Sequence, residues 1–324
     1  MKATFFCSVL GLTLTASLAA MATPLPPPRG MAESQPRQMQ PAPANINTEV
    51  RRAWERVNEL RRAAGVPPVE LDAALSKGCQ AHAHYLVVNQ GSPTTRGMGA
   101  HSEKEGMPGY TEAGAAAAVN SVIAPRRTLT ASVDAWMSTL YHRIPMLRPN
   151  LVRIGLGWDG GYAVMDVING LVGDEPHPVA YPAEGQKNIP TLFPNELPDP
   201  IPAGAPRPAG YPVTLQFPFD SEEVTGVKAS FMDATGKPVP FHLSTPEKPA
   251  NDFPQQNTIC VIPARRLAPG ATYKVEISGS FQGQTFDHEW SFTTQTAAQQ
   301  ASSQRNLASF RPVTGPVPVK LRRK

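Results

Sequence analysis

Cysteine is scarce in this sequence of 324 residues, which contains only three. Cys7 lies in the apolar start of the chain, and Cys79 and Cys260 fall in regions that we expect to be separate domains. We therefore do not expect a disulfide framework, and we interpret both remaining thiols as small buried apolar groups. Hydrophobic cores must then stabilise the domains.

Charge is also scarce, because only 17% of the residues are charged, and the net charge of +4 is unevenly placed. Residues 297–324 hold six basic residues and no acid, and Lys2 adds another positive charge, so the rest of the chain is slightly acidic. This argues against nucleic acid as a partner. The basic end could contact an anionic surface, but its lack of periodicity predicts a disordered, solvated tail.

Long apolar runs are absent except near the N-terminus, where residues 1–22 are typical of a signal peptide. Lys2 supplies the charged start, residues 5–18 the apolar stretch, and residues 20–22 a small-x-small cleavage site. This run is short for a membrane span, and no other run is long enough to cross a bilayer. The sequence predicts a soluble exported protein, either secreted or in the periplasm or cell envelope.

Proline is abundant, with 36 residues, and it divides the chain. Residues 23–45 are rich in Pro and Gln and are predicted to be a disordered spacer. Residues 171–210 hold ten prolines and are predicted to be an extended connector, laid along the first domain. Two globular regions remain, at residues 46–170 and 211–296.

The first region begins with helical periodicity. Asn47 or Thr48 can cap a first helix that Gly65 ends, and Asp72 can cap a second. His82 falls on the apolar face of that second helix, so we expect a core histidine bonded to a backbone carbonyl.

The first region ends in strand alternation. Ser132 or Thr130 can cap a helix that closes at His142 and Arg143, and two alternating strands follow to residue 166. We therefore expect a mixed α+β domain.

Three polar side chains in this region could converge, namely His101, Glu112 and His142. Two imidazoles and a carboxylate near one cleft could bind a divalent metal or move a proton, or they could simply order a groove. The H-E-x-x-H spacing typical of zinc peptidases is missing, and so is the G-x-S-x-G motif of serine hydrolases. The residues alone leave these alternatives open.

Five motifs in order carry a family resemblance: VNELRRAAGVPP, CQAHAHYL, AHSE, YTEAG and VDAWMSTLYHRIPMLRPNLVRIGLGW. Together they resemble the CAP superfamily of cysteine-rich secretory, antigen 5 and pathogenesis-related 1 proteins, or SCP-like domains, in its bacterial form. The resemblance implies an α-β-α sandwich over residues 46–170, with a central antiparallel sheet between helical layers and a cleft at one side. The family's disulfides are absent here.

The resemblance also implies a cleft with two histidines and two acids. The matching histidines are His101 and His142, and Glu112 matches the first acid. In many members a second acid follows the helix tryptophan, but Trp136 here is followed by none. Such a set could hold a divalent metal, zinc, through His101 and His142.

Other acids and a cation lie close to these motifs in the sequence. Glu103 and Asp134 are nearby, but neither matches the position of the second acid. Arg143 could clamp an anionic ligand in the cleft or bond to the last carbonyls of its own helix.

The second region, residues 211–296, alternates throughout and predicts an all-β sandwich. Residues 233–236 indicate a hairpin turn, and the run L-x-P-G-x-x-Y that ends at Tyr273 is typical of a tyrosine corner. The closing WSFTT resembles the end of bacterial Ig-like domains, which implies a spacer or adhesive role, with contact to a cell surface through this domain or the basic tail.

The leading functional hypothesis is an exported, non-enzymatic module that binds a lipid, peptide or glycan in the CAP cleft. One alternative is a metal-assisted hydrolase, peptidase-like, that uses His101, His142 and Glu112. A second alternative is a structural surface protein whose cleft is vestigial.

Overall fold

The structure, a computed structural model of the chain, describes residues 46–174, 177–219 and 223–301. The predicted signal peptide, the predicted spacer and most of the predicted tail lie outside the described residues. Across the described ranges, none of the helices combines the length and the apolar character needed to span a membrane.

Five α-helices and two 3-10 helices lie in the first region. They are α1 (Thr48–Ala63), α2 (Ala73–Val88), the 3-10 helices Pro93–Thr95 and Gly97–His101, α3 (Glu112–Val119), α4 (Leu129–Met137) and α5 (Arg143–Met146).

Two of the predicted helix caps are confirmed, and one is wrong. Asn47 accepts from the backbone of Glu49 at the start of α1, and Asp72 accepts from two backbone N–H groups at the start of α2. The predicted caps of α4 are replaced by Thr128, whose hydroxyl accepts from Ala131 N. Since α4 already ends at Met137, the two residues expected at its end lie beyond it: His142 precedes α5, and Arg143 is the first residue of α5.

A four-stranded sheet forms the middle layer of this region. Its strands are β1 (Glu70–Leu71), β2 (Ser121–Pro125), β3 (Arg153–Asp159) and β4 (Tyr162–Asp166), in the order β1-β3-β4-β2. The β3–β4 and β4–β2 pairs are antiparallel, whereas β1 runs parallel to β3.

Alternation along the strands separates the two faces of this sheet. On β4, Ala163 and Met165 pack with the core under α1 and α4, whereas Val164 packs with the core under α2 and α3. A Cβ at Gly155 or Gly157 would lie 2.4 or 2.3 Å from the backbone of α2, so only glycine lets α2 rest directly on β3. The predicted α-β-α sandwich is confirmed.

The second region is a sandwich of two four-stranded sheets. Its strands are β5 (Val179–Tyr181), β6 (Gln186–Ile189), β7 (Val213–Gln216), β8 (Thr225–Asp233), β9 (Phe241–Ser244), β10 (Thr258–Pro263), β11 (Thr272–Phe281) and β12 (Gln284–Thr294). The orders are β5-β7-β10-β9 and β6-β12-β11-β8. Together with the first region this confirms the α+β fold class.

Parts of the predicted connector belong to this sandwich. β5 pairs with β7 and β6 with β12, so the segment 171–210 contributes one edge strand to each sheet. The high proline content led us to predict an extended connector here. The prolines flank these two short strands and do not lie within them. At the other end, residues 297–301 form a helical turn although we expected them to start the disordered tail.

Two expectations within the sandwich have different outcomes. The Tyr273 hydroxyl accepts from Ala268 N at 2.8 Å, which confirms the tyrosine corner. The turn at residues 233–236 is present and is closed by the Asp233 carboxylate. However, β8 and β9 on its two sides enter different sheets, so the hairpin is limited to a single bridge between Met232 and Pro238.

Both cysteines of the described chain are free and buried, as expected. Burial raises the pKa of the Cys79 and Cys260 thiols to about 12, so neither is a thiolate at neutral pH. They act as small packing groups in the two cores.

Candidate functional site

A cleft of about 880 Å³ opens at one edge of the first region. Its walls come from the 3-10 helix Gly97–His101, the end of β2, the C-terminal half of α4 and residues 194–199 of the Pro-rich segment. Both predicted histidines, His101 and His142, line it. The two motifs that are 41 residues apart in the sequence therefore meet at one site.

His101 is the last residue of its 3-10 helix, and glycines shape that helix. A Cβ at Gly99 would lie 2.4 Å from the Thr94 carbonyl oxygen, so the tight turn requires glycine there. Burial, followed by the proximity of His142, lowers the pKa of the His101 imidazole. His101 is therefore an uncharged imidazole at neutral pH.

A buried pair of side chains fixes the loop that carries His101. His82 Nδ1 lies 2.9 Å from Glu103 Oε1, and His82 Nε2 donates to the Ala100 carbonyl at 2.8 Å. The second Glu103 oxygen accepts from Thr111 N, and both side chains of the pair are fully buried. The predicted core histidine is confirmed, and its carboxylate partner is Glu103, which the motif comparison did not identify.

His142 also has a carboxylate partner, which comes from the Pro-rich segment. Glu196 accepts hydrogen bonds from Leu140 N at 2.9 Å, from His142 N at 3.0 Å and from His142 Nδ1 at 2.7 Å. The Glu196 side chain is 0% exposed, whereas the His142 side chain is 18% exposed toward the cleft. Three donors thus compensate the buried carboxylate charge.

Sequence reasoning missed Glu196 because it lies 54 residues beyond His142 in a segment without periodicity. The only signal was indirect: the segment was expected to lie along the first domain, and an acid there could reach the cleft. The hydrogen bonds from Glu196 to Leu140 and His142 show that this part of the segment does contact the first domain.

The structure places the other two predicted cleft residues elsewhere. Glu112 is exposed in the first turn of α3, where its charge is favourable to the helix dipole, and it does not line the cleft. Arg143 is 1% exposed and lies between the Tyr181 and Tyr211 rings, 4.9 Å from each centroid. Its guanidinium donates to the carbonyls of Met137 and Pro212, so it joins the two regions.

The described residues do not assemble a metal site of the predicted kind. Among residues 46–174, 177–219 and 223–301, no group of three or more His, Cys, Asp and Glu side chains is placed to hold an ion. The cleft brings two imidazoles together, but Glu112 is not beside them and Glu196 is already bonded to His142 Nδ1. A catalytic zinc site with three protein ligands does not fit this arrangement.

Apolar side chains form the walls of the cleft, and charged ones lie at its rim. Ile123 and Trp136 line it, and Met98 and Leu197 are 46% and 65% exposed at its mouth. The rim also includes two exposed arginines, at positions 96 and 126. The cleft thus combines an apolar interior with one polar centre at the two imidazoles.

The family comparison agrees with the sequence motifs. Residues 54–168 match the family model described as "CAP: Cysteine-rich secretory protein family". The match covers about a third of the chain, supports a CAP domain in the first region and ends before Glu196. No curated protein matches the chain.

One solved structure that is similar to part of the chain is a DUF4426 family protein from Pseudomonas aeruginosa. Its identity is 14% and its TM-score 0.21, and the match covers 26% of this chain and 72% of that one. At that TM-score the similarity carries no argument about the function of the cleft.

Proposed function

We propose that this protein is a binding module that holds a small amphiphilic ligand in the cleft between its first region and the Pro-rich segment. The observation that carries the proposal is the pairing of apolar walls with a single polar centre, where His101 and His142 meet. Such a site orients a ligand by its polar end and retains it by burial of its apolar body.

The size of the cleft agrees with this proposal. Its volume of about 880 Å³ lies within the range of roughly 300–1,000 Å³ that is common for small-molecule sites. Exposed apolar side chains at the mouth, Met98 and Leu197, would be covered when the apolar part of a ligand enters. Of the ligand classes considered, this favours lipid-like molecules over glycans.

The rest of the chain supports an extracellular setting. The N-terminal sequence has the pattern of a signal peptide, so we place the protein outside the cytoplasm, secreted or in the cell envelope. We assign the sandwich, with its tyrosine corner and WSFTT ending, to the Ig-like class and give it the role of a spacer or second contact surface.

Calorimetric titration of the full chain with 1-decanol and with decanoate tests the proposal. We expect saturable binding of at least one of these ten-carbon amphiphiles, and loss of that binding in the double variant His101→Ala/His142→Ala. His84→Ala is the matched control, because His84 is exposed, pairs with Asp159 and does not line the cleft. Binding that is absent, or equal in the double variant and the control, contradicts the proposal.

The alternative of a metal-assisted hydrolase has weaker support. It needs His101, His142 and Glu112 around one ion, and the described residues do not bring the third of these to the cleft. Zinc in place of the amphiphile in the same titration tests this alternative, and tight binding that disappears in the double variant would favour it.

A further inference from the structure

The hydrogen bonds around Glu196 determine which nitrogen of His142 carries the proton. The Glu196 carboxylate has only acceptor atoms, and its oxygens already receive the N–H groups of Leu140 and His142. Nδ1 of His142, 2.7 Å from Oε1, must therefore donate. Thr139 Oγ1 lies 3.3 Å from the same nitrogen and donates its own proton to the Trp136 carbonyl, so it too faces Nδ1 as an acceptor.

An imidazole that donates from Nδ1 in its neutral form is an acceptor at Nε2. Carboxylates and carbonyls behind histidines fix the tautomer in this way at many sites. Because the side chain of His142 is 18% exposed and lines the cleft, a ligand can reach this imidazole. The polar centre therefore includes one hydrogen-bond acceptor that depends on Glu196.

His101 adds a second acceptor. It lines the same cleft, and a neutral imidazole carries a proton on one ring nitrogen and a lone pair on the other. Burial and the nearby His142 lower the pKa of His101 and thus keep the ring uncharged. One ring nitrogen of His101 therefore has a lone pair.

We propose that Glu196 is a positioning residue that sets the His142 imidazole as an acceptor beside His101, so that the cleft selects ligands with a hydrogen-bond donor, such as a hydroxyl, at their polar end. This inference rests on the proposed binding function and names its ligand class. A carboxylate offers no proton to either imidazole at neutral pH, so it leaves both acceptors unsatisfied.

The arginines at the rim oppose this selectivity for hydroxyl ligands, because they attract anions. Arg96 and Arg126 each donate to a neighbouring backbone carbonyl and are exposed, so their remaining charge faces water. Salt at about 0.15 M screens exposed charges beyond roughly 8 Å. The selectivity is therefore measured at that ionic strength, where hydrogen bonds at the buried centre decide it.

The first test is NMR of the full chain with nitrogen-15 in its histidines. We expect His142 in the Nδ1–H tautomer and unprotonated at Nε2, with its signals assigned through His142→Gln. Glu196→Ala removes both carboxylate oxygens and so leaves Nδ1 without its carboxylate acceptor, and we therefore expect the Nε2–H tautomer to appear. His142 protonated at Nε2 in the unaltered protein would overturn the inference, whether or not the variant folds.

The second test compares the affinities of 1-decanol and decanoate. We expect tighter binding of decanol, and a loss of about fivefold in that preference in Glu196→Ala, the equivalent of one hydrogen bond. Asp199→Ala is the matched control, because Asp199 also lines the cleft but its carboxylate pairs with Arg207 and not with His142. Equal affinities in the unaltered protein, or equal losses in the two variants, would contradict the inference.

The two tests separate failure of this inference from failure of the proposed function. If neither amphiphile binds, the proposed function fails, and the tautomer of His142 in Glu196→Ala and Asp199→Ala alone decides whether Glu196 positions the ring. If both bind without a preference for the hydroxyl, the binding function stands and the ligand class inferred here is wrong.

Discussion

Two histidine–carboxylate pairs lie close to the cleft, and they differ in what they leave free. His82 with Glu103 and His142 with Glu196 have similar N···O distances, 2.9 and 2.7 Å, and both carboxylates are fully buried. Both ring nitrogens of His82 are bonded within the protein, whereas His142 is partly exposed and lines the cleft. The same pair of residue types thus fixes a loop in one place and lines a cleft in the other.

The pairs also differ in how far apart their two members lie in the sequence. Glu103 lies 21 residues from His82, within the segment that matches the CAP family model, so the first region holds this pair by itself. Glu196 lies beyond the matched segment, in the part of the chain that also supplies strands of the sandwich. The cleft therefore depends on the second region, to which Arg143 also ties the first.

The largest expected effect comes from breaking the more buried pair. Glu103→Ala leaves a fully buried imidazole without its carboxylate partner and also removes the acceptor for Thr111 N. We expect the free energy of unfolding to fall by about 3–5 kcal/mol, as measured by urea denaturation. Glu105→Ala, an exposed acid in the same loop, should change it by less than about 0.5 kcal/mol. Equal effects would show that the His82 pair is not structural.

Breaking the His142–Glu196 pair should lower the free energy of unfolding by less, because water can reach its histidine. Glu196→Ala leaves two backbone donors, Leu140 N and His142 N, without acceptors. We expect a loss of about 1–3 kcal/mol in the free energy of unfolding, measured in the same way. A loss as large as that of Glu103→Ala would show that the second pair is equally structural and would weaken its assignment to ligand binding.

The smallest effect concerns His101, which lies between the two pairs. Its folded-state pKa is lowered, mainly by burial and then by His142, so the unfolded chain binds the proton more readily. The free energy of unfolding should therefore decrease as the pH falls from 7.5 to 5.5. In His101→Gln this decrease should be smaller, as measured by urea denaturation at the two pH values.

One other group contributes with the same sign. Burial also lowers the pKa of His288 in the sandwich, so His288→Gln should remove a separate part of the pH dependence. An unchanged pH dependence in His101→Gln would show that the fold does not keep the His101 ring uncharged. The inference of a second hydrogen-bond acceptor in the cleft would then be wrong.

Local sequence signals predicted much of the first region. The caps Asn47 and Asp72, the buried histidine of α2 and the alternating strands each depend on neighbours within a few residues, so the sequence alone reveals them. The ordered motifs also predicted that His101 and His142 would share a cleft, since a family fold fixes the position of each motif. Thr128 was missed as a cap because three hydroxyl residues lie close together there.

The partners of those histidines could not be predicted in the same way. Glu103 and Glu196 are isolated acids in irregular segments, where no periodicity indicates which side chains are buried. The short strands β5 and β6 were missed for a related reason, because an edge strand of three or four residues between prolines is too short to show alternation.

The sequence by itself determined the first two helices, the β3–β4 pair, the tyrosine corner and the two histidines of the cleft, because each depends on local spacing or on an ordered set of motifs. Only the tertiary structure decided that Glu112 stays at the surface, that Arg143 is buried between the regions, and that Glu196 supports His142. The physical reason is that burial of a charge requires donors or partners gathered from distant segments, and only the folded chain brings those groups together.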